Sequence, residues 1–256
     1  EPRACVLFNE PLRVGLDYAP FVRLPGEAPT VTAQDAQLCV EGLRHGQRLS
    51  LTLREGLPAA SGETLARDVA LDLYVRDRRP AARVLSRAYV LPRGGDATIP
   101  VGSVNAPEVA LALARVNDAN LLRSLAEGTF DAAQWSWDRE RFESDLGTVI
   151  WEGTVAVAQG APNADVVTEV PVGGLLAGQP AGVYALTAAI PGDSLDDRPA
   201  TSQWFVLSDL GIATFQGVDG ITVAVRALGD AAAVEGATVR LVSRANGTLG
   251  TATTDA

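Results

Sequence analysis

The stretch Arg48-Leu-Ser-Leu-Thr-Leu53 decides the fold class. In an extended chain Leu49, Leu51 and Leu53 point to one side and Ser50 and Thr52 to the other. One face is therefore buried and the other wet. The same short alternating texture returns at Val69–Val75, Val149–Val157, Val183–Ala188, Trp204–Leu207, Ile221–Val225 and Thr238–Val242. Gly, Pro, Asn and Asp punctuate these runs about every ten residues, the rhythm of antiparallel sandwiches rather than of a parallel sheet. Asn246-Gly247 sits between two such runs and predicts a tight hairpin. The reading is all-β, with tandem antiparallel β-sandwich domains of fibronectin III or immunoglobulin-like type.

One amphipathic helix interrupts the strands. Asn117 or Asp118 can cap it, Leu121, Leu122 and Leu125 share a face, and Gly128 supplies the stop. The following Trp135-Ser-Trp-Asp-Arg-Glu-Arg-Phe142 reads either as a second short helix or as an irregular loop. At 256 residues the chain is long for one compact domain and comfortable for two. We expect boundaries near 102 and 208. That gives one sandwich over 1–102, a second with the helical insertion over 103–208, and a partial third over 209–256. A chain with no Met reads as a piece of something longer.

Composition removes several functions. Hydrophobic residues make up 47% of the chain, too many for a disordered segment. No apolar run approaches the length of a membrane-spanning helix. The formal charge of −10 lacks the basic face that phosphate contacts require, so nucleic acid is not an expected partner. A single histidine, His45, leaves no room for a multi-histidine metal site or a His-based triad. There is no Walker motif, which a chain without Lys cannot contain, and no Gly-x-Ser-x-Gly elbow. We expect no catalytic residue, no cofactor and no metal.

The remaining candidates each carry a bland reading. Asp193, Asp196 and Asp197 crowd a loop as calcium ligands do, but the spacing is not an EF-hand and Arg198 adjoins them. Asp77-Arg-Arg-Pro80 reads as a solvated charged turn. Trp135, Trp137 and Trp151 either bind a carbohydrate or a partner, or plug the sandwich beneath the helical insertion. Glu140, Glu143 and Asp145 near Trp137 would have to converge in a cleft for an enzyme. Cys5 and Cys39, 34 positions apart, fit no zinc pattern. They are either buried free thiols or a disulfide. The disulfide is our expectation, and it would imply an oxidising compartment.

Several stretches together resemble one family. Gln37-Leu-Cys-Val-Glu-Gly-Leu-Arg-His-Gly-Gln through Leu65, and Ala88-Tyr-Val-Leu-Pro-Arg-Gly-Gly through Asn105, resemble the first macroglobulin-like domain of bacterial alpha-2-macroglobulins. Leu146-Gly-Thr-Val-Ile-Trp-Glu-Gly is similar to the second such domain. Gly182-Val-Tyr-Ala-Leu, followed by Ser202-Gln-Trp-Phe-Val-Leu-Ser-Asp-Leu-Gly-Ile212, is similar to its end and the junction to a third. The resemblance implies a structural segment of a large periplasmic protein that traps proteases. Its partners would be the remaining domains of the same chain and, through elements elsewhere, target proteases. The family's thioester carries Cys-x-Glu-Gln. Here Cys39 is followed by Val-Glu-Gly and Cys5 by Val-Leu-Phe, so neither fits that role. The second reading is an immunoglobulin-like adhesion or carbohydrate-binding module at a cell surface.

Overall fold

The computed structural model describes residues 2–26, 30–85, 90–93, 96–128 and 134–255. Ala88, Tyr89, Gly94 and Gly95, part of the closing-strand resemblance, lie outside them. The chain forms two compact units, Glu1–Arg79 with Ala161–Ala164, and Pro80–Gly160 with Asp165–Ala256.

The first unit holds two three-stranded antiparallel sheets. One has the order β1-β4-β3 and is built from β1 (Ala4–Leu7), β3 (Thr30–Gln34) and β4 (Gln37–Glu41). The other, β2-β5-β6, is built from β2 (Val22–Arg23), β5 (Arg48–Leu53) and β6 (Val69–Tyr74). Leu51 and Leu53 of β5 and Leu38 and Val40 of β4 share one core, as the alternation in β5 requires. Tyr18 is buried in that core. Its hydroxyl donates to the Pro58 carbonyl at 2.8 Å and accepts from the Arg13 amide at 2.6 Å, so its polar end is satisfied.

The second unit pairs a five-stranded sheet with a three-stranded one. The larger has the order β11-β10-β13-β14-β8, from β8 (Val90–Leu91), β10 (Glu108–Val116), β11 (Gly147–Ala156), β13 (Gly182–Ala189) and β14 (Thr201–Leu207). The smaller, β12-β9-β7, comes from β7 (Ala81–Val84), β9 (Thr98–Val104) and β12 (Val166–Pro171). Between them lie Val109, Leu111 and Leu113 of β10, Tyr184 and Leu186 of β13, and Val101 and Val170 from the facing sheet. Pairings among the described strands are antiparallel except β8 with β14. The expected boundary at 102 falls inside β9, where Thr98–Ser103 pair with Pro171–Val166 of β12. Those hydrogen bonds tie the strand to the second unit.

Beyond β14 come two hairpins, β15 (Leu210–Gly217) with β16 (Gly220–Ala227), and β17 (Thr238–Val242) with β18 (Thr248–Thr253). Asn246 turns the second of them with a left-handed φ of 63°.

The helical insertion lies between β10 and β11. A single 3-10 turn at Asp118–Asn120 leads into α1 (Leu121–Glu127), which Gly128 ends at φ 69°. Leu121 packs toward the sheet, but Leu125 is 50% exposed, so the three leucines do not form one buried face. Trp135–Phe142 resolves as helix: α2 (Ser136–Arg141) runs into a wider turn over Phe142–Leu146. Gly147 follows at once. A side chain there would meet the Arg115 carbonyl and the Phe142 ring at 2.5 Å, so the chain can re-enter the sheet only as glycine.

Candidate functional site

The outer face of the five-stranded sheet is where the second unit departs from a plain sandwich. At one end Ala114, Val116, Val183 and Ala185 form a floor for Trp204, Phe142 and Leu146. Trp204 is fully buried and meets Phe142 edge-on, with ring centroids 6.0 Å apart at 82°. At the other end Ala110, Ala112 and Thr187 floor an open cavity of about 410 Å³ rimmed by Arg139, Glu143 and Glu152. Small side chains on three neighbouring strands, β11, β10 and β13, keep this floor low.

The rim is electrostatically closed. The Arg139 guanidinium donates to Glu143 Oε1 at 2.9 Å and also to Glu152. The Glu143 bond, with help from Glu152, holds it charged above the usual arginine range. Glu143 is therefore matched by a cation, and Glu140 and Asp145 are exposed on the helical turn. Of the three carboxylates, Glu143 is thus neutralised at the cavity rim, while Glu140 and Asp145 face solvent.

The other sequence candidates are also separated. Asp193 is bound by Arg198 at 2.8 Å, Asp196 accepts from the Ser136 hydroxyl, and the Asp197 amide donates to the Ser194 carbonyl at 3.1 Å. Among the described residues no group of three or more His, Cys, Asp or Glu could hold a metal ion. His45 Nδ1 donates to the Arg76 carbonyl at 2.7 Å. The three tryptophans do not form one cluster. Trp151 packs against the sandwich core, whereas Trp135 and Trp137 stack on each other at 5.3 Å, with Trp137 57% exposed.

Cys5 and Cys39 stand opposite each other in the β1–β4 register, Cα atoms 4.0 Å apart, and are joined by a disulfide. No free cysteine is left among the described residues. A sulfur locked in a disulfide cannot form an acyl bond or act as a nucleophile.

The turn at Asp77 is exposed, as its charged sequence suggests, but it has partners that the sequence does not show. Its carboxylate accepts from the Tyr74 hydroxyl and from Asn163 Nδ2. These two donors hold it below the usual aspartate range, with the Tyr74 bond the larger cause. The same pairing raises the Tyr74 hydroxyl. No local motif announces this site, because Asn163 arrives from far along the chain.

The candidate carboxylates Asp193 and Glu143 are each held by an arginine, within a packed array of sheets. Comparison with known proteins accords with that. The model of the bacterial alpha-2-macroglobulin MG2 domain matches residues 83–201, and that of the MG3 domain matches 207–256. The chain belongs to the bacterial alpha-2-macroglobulin family. It is 24% identical to the alpha-2-macroglobulin of Escherichia coli over 86% of its length, and 26% identical to that of Xylella fastidiosa over 81%. It spans 13% of the length of each of these curated relatives. The structure of Salmonella alpha-2-macroglobulin reacted with methylamine superposes with a TM-score of 0.72 at 21% identity, covering 99% of this chain and 15% of that one. This likeness shows the fold. No helix among the described residues is long and apolar enough to cross a membrane.

Proposed function

We propose that this alpha-2-macroglobulin segment is a structural, non-enzymatic N-terminal part of a broad-spectrum protease trap acting in the periplasm. The observation that carries this reading is the use of both cysteines in one disulfide of the first unit, in a chain whose later residues match the macroglobulin MG2 and MG3 models. The segment then holds no sulfur for a thioester, and its stiff, solvated sheets serve as spacer and scaffold. The disulfide also supports an oxidising compartment. The division we propose is a first macroglobulin-like domain ending near Arg79, a second reaching about 208, and the opening strands of a third from 209, because β7 and β9 pair inside the second unit. Its partners are the other domains of the same chain. Proteases are met through elements elsewhere in the protein.

The purified 256-residue chain, mixed in excess with several unrelated proteases, is therefore expected to leave their activity on protein substrates unchanged. Stoichiometric loss of activity in two or more of them would place the trapping machinery in this segment and overturn the reading.

A further inference from the structure

Four residues of the turn between β11 and β12, Ala161–Ala164, are part of the first compact unit, although both strands belong to the second. Asn163 makes the attachment. Its Nδ2 donates to Asp77 Oδ1 at 2.7 Å, and its Oδ1 accepts from the Arg78 amide at 2.7 Å. The Arg78 guanidinium donates to the Asn163 carbonyl at 3.0 Å. Asparagine suits the place on two counts. Its side-chain amide offers a donor to a carboxylate and an acceptor to a backbone N–H at once, which neither Asp nor Ser can do in the same way. Its backbone sits at φ 67°, a left-handed conformation that Asn tolerates better than most residues.

The receiving side is shaped to match. Gly46 has φ 76°, and a Cβ there would fall 2.7 Å from Asp77 Oδ1 and 2.9 Å from Asn163 Nδ2. Only glycine leaves room for the amide. Around it, the Tyr74 hydroxyl fixes the second oxygen of Asp77, and the Gly46 amide donates to the Val75 carbonyl at 2.8 Å. The carboxylate is thus oriented before Asn163 reaches it.

We propose that the Asn163 turn is a strap that completes the first unit, so that this unit's stability depends on chain lying beyond residue 160. Folding of the first unit is then finished only after β11 has been made, and loss of the strap loosens the 44–47 and 74–79 turns first.

Hydrogen exchange on the whole chain tests this. The Arg78 amide reports docking directly, since its acceptor is Asn163 Oδ1. Asn163→Gly keeps the left-handed backbone and removes both side-chain bonds. It is expected to speed Arg78 exchange by about tenfold or more, because a bond to a charged group is lost with it. The slowest amides of β5 and β6 should quicken as well, while those of β10 and β13 stay unchanged. Asn163→Asp keeps an acceptor for Arg78 but sets a second carboxylate against Asp77, and should quicken exchange further than Asn163→Gly. Unchanged Arg78 exchange in both variants would overturn the proposal. So would an effect confined to β11 and β12.

Discussion

Reducing the Cys5–Cys39 bond should lower the stability of the first unit by about 3–4 kcal/mol. The bond closes a loop across a sequence separation of 34, and the chain-entropy gain at that length sets the magnitude. The two cysteines face each other in the β1–β4 register. The loss bears on a small unit. Its two sheets have three strands each, and β1, only four residues long, is an edge strand that pairs with β4. A domain of this kind has roughly 5–15 kcal/mol of stability in total. Calorimetry with and without reductant should show one transition moving down by roughly 15–25 °C, with the other in place. The double variant Cys5→Ser, Cys39→Ser should reproduce the shift without reductant. Two transitions that move together, or neither moving, would contradict this assignment.

Trp204→Ala should cost the second unit about 3–5 kcal/mol. Trp204 is fully buried on the outer face of β14, and the helical insertion is built over it. Its floor is made of small or branched side chains, Ala114, Ala185 and Val183, which cannot expand into the vacated volume. Phe142 would lose its edge-on partner, and with it the anchor of the turn that returns the chain to Gly147. Urea unfolding followed by far-ultraviolet circular dichroism measures the loss. Trp204→Phe should recover more than half of it by keeping an aromatic ring against Phe142. A cost below about 1 kcal/mol would mean that the insertion is not seated on this residue.

Much of the architecture is legible because the period-2 pattern is a local signal. Leu49, Leu51 and Leu53 announce a half-buried strand in any context, and Asn246-Gly247 announces its turn. The end of the first unit is less legible. Thr98–Val104 contains Pro100 and Gly102 and is buried nearly throughout, so it has no alternation to show which sheet it joins. Its pairing with β12 is set by residues some seventy positions later. The tryptophans fail for a related reason. Trp135, Trp137 and Trp151 are close in sequence, but a helix and a strand send them to different surroundings. Leu125 follows the helical period of Leu121, yet in a helix of seven residues Leu121 packs against the core cluster while Leu125 stays half exposed. Asn163 is the least legible of all, since a lone asparagine in a turn is ordinary until its distant partners are known.

Intact mass decides whether this segment carries a reactive acyl group, which the proposed structural role denies it. The purified chain is incubated with methylamine, then separately with an active protease, and weighed without reductant. An unchanged mass with methylamine and no covalent protease adduct are expected. A methylamine adduct, or a covalent conjugate with the protease, would contradict that role.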